Sequence, residues 1–281
     1  MLEERWADAD RLSGEAQRSA DPFTRLFSDA SRYTRALYRG RSAEAFKTLD
    51  RALGPMATAG PTMAGILALG GARSQLAAGN PAAALARAER VGREAPPDAF
   101  IAPAAASRFL AARALARLGR AADVTPLMKA MEAAANADAG PRSKRRLLHL
   151  TGALALDRGD AVSAVTALTA AEALLPPRTS IGPPASQPPV WFDLGSALVA
   201  AGRDAEAARR FERLITGVER IHHPLEFVRS LYFLGQIAER RRDMPKAREH
   251  YQRFISYWGD GDLDRDRVAH AKRVVGGSPI Q

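Results

Sequence analysis

Five histidines, His149, His222, His223, His250 and His270, are the only imidazoles in 281 residues. A catalytic or structural metal would need them beside carboxylates at ligand spacing. His222 and His223 are adjacent, so on a helix their rings point apart, and no His-Glu-x-x-His arrangement occurs. The pair reads instead as a solvated helix N-terminus ahead of Pro224. Two acidic groups, Glu3-Glu4 and Asp260/Asp262/Asp264/Asp266, invite a catalytic or calcium reading. The second lies in GDGDLDRDR, which lacks a bidentate glutamate at its end, since Ala269 to Val274 supplies no carboxylate. Helix capping in a turn accounts for it better. No Gly-x-Ser-x-Gly, no phosphate-binding Gly-x-x-x-x-Gly-Lys and no strand-borne Gly-x-Gly-x-x-Gly is present, and Gly70-Gly71 sits in an alanine-rich helical stretch. The absence of cysteine removes thiolate ligands, thiol nucleophiles and disulfides, and fits either side of a membrane. No enzyme activity, cofactor or metal is expected.

Charge is the next clue. The chain carries 41 basic and 31 acidic residues, a formal net charge of +10, and only five of the basic residues are lysine. A nucleic-acid binder gathers its cations on one face or in one run. These arginines are spread along the chain and interleaved with Asp and Glu, which argues against nucleic acid. The first residues, MLEERWADAD, are charged from the third onward and do not form a secretory signal. If Met1 is the true start, a cytoplasmic product is expected. The longest uncharged apolar stretch, near Pro61–Ala72, is too short to span a bilayer.

Any binding residues must therefore be positioned by helices, because alanine and leucine dominate while β-branched and aromatic residues are sparse. One pattern recurs along the chain: an amphipathic stretch, a tight turn, and a second stretch opened by alanines. The turns fall at Gly40, Gly79, Gly119 and Gly159, spaced by 39, 40 and 40 residues, then at Gly202 after 43, and at Arg242-Asp243 about one period on. Glycine suits the end of the first helix because it takes the left-handed conformation at no steric cost. Small residues are needed where two helices cross closely, with large apolar residues on either side.

The fifth repeat carries Trp191, Leu194, Gly195, Leu198, Gly202, Ala207, Phe211 and Leu214; the sixth has Leu231, Leu234, Gly235, Ala238, Ala247, Tyr251 and Phe254. The fourth has Leu148, Gly152, Ala155, Gly159, Ala164, Leu168 and Pro176. This resembles the tetratricopeptide repeat (TPR) signature of Trp, Leu-Gly, Gly, Ala, an aromatic and an apolar residue. Repeats one to three keep the turn glycine and a small residue in the second helix (Ala45, Ala84, Val124) but lack the Leu-Gly pair. The period near 40 exceeds the usual length of about 34 residues, so longer helices or loops are expected. Residues 233–262 also resemble the C-terminal TPR tails of some bacterial serine/threonine kinases and adenylate cyclase-like regulators, although no kinase motif is present.

The resemblance implies an all-α chain: a right-handed α-solenoid of about six TPR-like helix pairs with a C-terminal capping helix. The expected organisation is an N-terminal helix in 1–21, degenerate repeats one to four over 22–175, a proline-rich loop over 176–189, repeats five and six over 190–258, and a capping helix and tail over 259–281. Six prolines among the fourteen loop residues disfavour helix there. The loop reads as an inter-repeat connection, with a proline ligand for a partner as the alternative. The resemblance further implies that first helices line a concave groove where a protein or peptide binds. Carried onto this chain, the groove positions are Phe109, Arg113 and Arg117 in repeat three, Arg146 and His149 in four, and Phe192, Ser196 and Val199 in five. Repeat six adds Arg229, Tyr232, Gln236 and Arg240. Arginine's planar fork suits carboxylates, so an acidic partner segment is expected.

Overall fold

The computed structural model describes residues 6–59, 61–94, 103–176, 187–217, 220 and 222–277. Among them all regular structure is helical. After α1 (Trp6–Gln17) come six hairpins: α2 (Pro22–Tyr38) with α3 (Ser42–Ala59), α4 (Pro61–Ala77) with α5 (Pro81–Glu94), and α6 (Pro103–Arg117) with α7 (Ala121–Ala137). The rest are α8 (Pro141–Asp157) with α9 (Ala161–Ala173), α10 (Gln187–Ala200) with α11 (Asp204–Thr216), and α12 (Pro224–Arg240) with α13 (Met244–Trp258); α14 (Arg265–Val275) closes the chain. The fold is a TPR-like α-solenoid.

The turn ladder is the local cause of this order. Gly40, Gly79, Gly119, Gly159 and Gly202 all have φ between 67° and 83°, and Arg242 does the same work at 60°. At each, the next residue's amide reaches back to a carbonyl five positions earlier, as in Asn80 to Gln75 at 2.9 Å and Asp243 to Ala238 at 2.9 Å. This closes the first helix and turns the chain into the second. Asp160 and Asp243 then cap the second helix through the amides of Ser163 and Lys246.

In the later hairpins the residue seven before the turn faces the residue nine after it. In repeats four to six a glycine faces a large side chain: Gly152 with Leu168, Gly195 with Phe211, Gly235 with Tyr251. A Cβ on Gly195 would lie 2.8 Å from the Phe211 ring, and one on Gly235 2.6 Å from Tyr251. In repeats one to three the same positions hold Tyr33 with Leu49, Ala72 with Ala88 and Ala112 with Met128. Trp191 and Phe211 are both buried, as the expected register requires.

The array also returns on itself. Trp258, fully buried, donates its indole N–H to the Leu37 carbonyl at 3.1 Å. The amides of Asp262 and Leu263 donate to the Gly40 carbonyl. The Asp262 carboxylate accepts from the Ser42 and Ala43 amides at 2.8 and 3.1 Å. Tyr38 donates to the Arg220 carbonyl and packs with Phe227 and Tyr257. Repeat one consequently shares one hydrophobic core with repeats four, five, six and the cap, while a second core joins repeats two and three to Leu150 and Leu154 of repeat four. Helix capping was the right chemistry for the aspartate run, but the capped helix is α3, at the other end of the chain.

Helix α10 begins at Gln187, so Pro188 and Pro189 stand in its first turn, where a missing N–H leaves no bond unmade. The expected proline loop falls largely on 177–186, outside the described residues. His223 is not solvated: as the residue preceding Pro224 it is 3% exposed, with Nδ1 3.8 Å from Glu226. No helix among the described residues is long and apolar enough to cross a membrane.

Candidate functional site

Because the solenoid closes, its inner face becomes a cavity of about 470 Å³. The first helices of repeats two to six wall it, and residues 264–267 leading into α14 complete it. Arg113, Arg117, His149, Phe192 and Arg229 of the expected groove residues, together with Phe109, all line this one space.

Their charges are already committed within the chain. Arg113 donates to both Asp193 oxygens at 2.8 and 3.2 Å and to Asp157 at 3.0 Å. His149 bonds Asp193 through Nε2 at 2.9 Å and packs on Phe109, ring centroids 4.8 Å apart. Burial by itself would raise the Asp193 pKa; the Arg113 charge and the His149 bond more than reverse that and hold it far below the carboxylate range. Burial opposes the charge on Arg113 too, but Asp193 and Asp157 override it and raise its pKa. For His149 burial dominates over the Asp193 contact and lowers its pKa, so the ring is neutral near pH 7 and its Nε2–H is the donor. Arg117 donates to Asp157 at 2.9 Å and to the Leu76 carbonyl at 2.8 Å, tying α6 to α8 and α4. Arg229 donates twice to Asp264, at 2.7 and 2.8 Å, and once to the Ala77 carbonyl at 2.9 Å. Asp264 also accepts from Arg267 at 2.7 Å.

The other expected groove residues lie outside this cavity's lining. Tyr232 is buried, 3.2 Å from His270 Nδ1, with the Arg267 guanidinium over its ring. Val199 packs against the core. The Ser196 hydroxyl is buried and has no hydrogen-bond partner among the described residues, and Gln236 is half-buried. Arg240 is exposed and paired with Asp204 at 2.6 and 2.9 Å. Arg146 is half-buried, and burial, then Arg145 and Arg142, lower its pKa.

Asp157 and Asp193, which neutralise Arg113 and Arg117, escaped the sequence reading, and Asp264 entered it only within the aspartate run read as helix capping. Their partners lie 35 to 80 residues away, a distance at which no spacing rule signals a pair. Arg73 also escaped it, although it stands 40 residues before Arg113 and so at the same position of its repeat. Among the described residues no group of three or more His, Asp or Glu is arranged to hold a metal ion.

No protein-family model matches the sequence, and no curated protein does. Nineteen chains of solved structures match. One, from the crystal structure of the APC/C hetero-tetramer Cut9-Hcn1, is 14% identical with a TM-score of 0.48, over 94% of this chain and 51% of that one. This chain thus spans about half the length of that neighbour. A likeness of that degree carries no argument, and the fold assignment rests on the helices and turns themselves.

Proposed function

We propose that this chain is a protein-interaction module rather than an enzyme, and that it binds a protein or peptide bearing an acidic segment through the inner helices of repeats four to six. One observation supports the reading: the first helices of successive repeats carry arginine, polar and aromatic side chains, and Phe109, Arg113, Arg117, His149, Phe192 and Arg229 among them line one space. Arg113, Arg117 and Arg229 hold the array together, so contact with a partner falls to Arg146 on α8, Phe192 on α10, and Gln236 and Arg240 on α12, with Ser196 and Val199 packed behind them. Exchanging Asp204 for a partner carboxylate at Arg240 changes little in charge balance, which makes that arginine easy to recruit.

The test is capture from a lysate of the source cell on the immobilised chain, beside an Arg146→Glu/Arg240→Glu variant. A partner held by the wild type and released by the variant is the expected result. A partner held equally by both would place binding elsewhere, and no partner on either would count against the module. The alternative is a regulatory segment of a bacterial serine/threonine kinase or cyclase-like enzyme, supported by the resemblance over 233–262. It requires the reading frame to extend upstream of Met1 into a catalytic domain.

A further inference from the structure

Inside the closed solenoid nearly every charge has its opposite. Arg113 answers Asp193, Arg117 answers Asp157, Arg229 and Arg267 share Asp264, and Glu226 faces His223. Arg73 on α4 is held more loosely: its charge helps lower the pKa of Glu226, which lines the same cavity, but no ion pair or hydrogen bond joins the two. Arg73 is half-buried, it lines the cavity, and it has no hydrogen bond or ion pair with any described residue. An unpaired guanidinium withdrawn from water is costly unless something supplies an acceptor.

A second feature of the same cavity has the same sign. Asp264, the residue before α14, has φ 45° and does not cap that helix, because its carboxylate is drawn to Arg229 and Arg267. The first turn of α14, residues 265–267, therefore enters the lining with no side-chain cap. An uncapped helix start favours an anion. Arg265, in that turn, is exposed and unpaired among the described residues. Two acids of the lining oppose an anion: the exposed Asp266 beside it, and Glu226, whose partner His223 at 3.8 Å is a cation only when protonated.

Between the paired charges the wall also presents apolar side chains: Leu76, Phe109, Leu110, Phe192 and Leu225. A volume of about 470 Å³ lies within the range of small-molecule sites. A ligand that fits has one anionic group for Arg73 and an apolar or aromatic body for the wall. We propose that the central cavity binds a small organic anion, a carboxylate or phosphate on an apolar body, with Arg73 as its anchor and the start of α14 as a second contact. The ligand spans α4 and the segment that closes the array, so its binding strengthens closure. This inference is independent of the interaction-module reading.

The experiment is calorimetric titration of the full chain with phenyl phosphate and with benzoate, using inorganic phosphate and phenol as controls. Saturable one-site binding of at least one aromatic anion, tighter than about 1 mM, is expected, with inorganic phosphate and phenol each weaker. The two anions distinguish a phosphate from a carboxylate group. Arg73→Ala should lower the affinity by about tenfold or more, while Arg90→Ala, on a remote exposed pair, leaves it unchanged. Arg73→Lys keeps the charge and should retain part of the affinity, and thermal melts of all three variants show whether the fold is kept. No saturable binding of either aromatic anion, equal affinity for phosphate and phenyl phosphate, or undiminished binding by a folded Arg73→Ala variant would each overturn the proposal.

Discussion

Repeats one to three and repeats four to six build the same helix crossing from different residues. In the later repeats a glycine lets Leu168, Phe211 or Tyr251 lie against the facing backbone. In the earlier ones the matching positions hold Tyr33 and Leu49, Ala72 and Ala88, and Ala112 and Met128, with Leu49, Ala72, Ala88 and Ala112 all buried, and Leu49 lies against Gly71 of the next repeat. What the helices require is a filled gap at the crossing, and the residue identities on each side are free to trade volume. The signature marks one solution to that requirement, so a repeat without the signature can still be a repeat.

If the gap is equivalent in both halves, truncating either filling should be severe. Phe211→Ala should cost about 3–5 kcal/mol and Leu49→Ala about 2–5 kcal/mol in urea unfolding. A cost for Leu49→Ala below about 1 kcal/mol would mean that repeat one is only loosely docked. A loss of similar size follows Arg113→Ala, about 3–5 kcal/mol, because Asp193 would be left charged and buried without its cation. Chemical denaturation measures it, and a near-neutral result would show that water reaches Asp193.

Gly235→Ala tests the trade itself. Overpacking against Tyr251 should cost about 1–3 kcal/mol, offset in part by up to about 1 kcal/mol of helix propensity. In a Tyr251→Met background, which imports the Ala112/Met128 pair of repeat three, the penalty should shrink. A double-mutant cycle with no coupling would break the comparison.

Closure of the array gives the next smaller effect. Asp262→Ala removes the acceptor for two amides of α3 and should cost about 0.5–2 kcal/mol. Burial pushes the Asp262 carboxyl up, but the bonds from Ser42 and Ala43 prevail and its pKa is lowered on folding. Its stabilisation is therefore whole above the unfolded value of about 3.9 and is lost as the pH falls through the lower folded value. Wild-type and variant stabilities, compared by thermal melts across that window, should converge at the acid end. Arg240→Ala should change stability by no more than about 0.5 kcal/mol, since its pair with Asp204 is exposed. A larger loss in the same melts would assign Arg240 a structural role.

The sequence by itself determined the helices, their pairing and the site of every turn, because those depend on local requirements. A left-handed residue must follow each first helix, and Gly40 through Gly202 mark five of the six places. The sixth is held by Arg242, which only the period revealed. Sequence also placed Phe109, Arg113, Arg117, His149, Phe192 and Arg229 on one inner side, since that follows from position within a repeat. Only the tertiary structure decided that this side is a cavity and that its arginines are mostly spoken for. Closure depends on Trp258 and Asp262 meeting Leu37, Ser42 and Ala43, more than 215 residues earlier. Small changes in how each repeat packs on the next accumulate around the array and set whether its ends meet. No single repeat contains that sum, and so none of them signals which arginines find a carboxylate within reach.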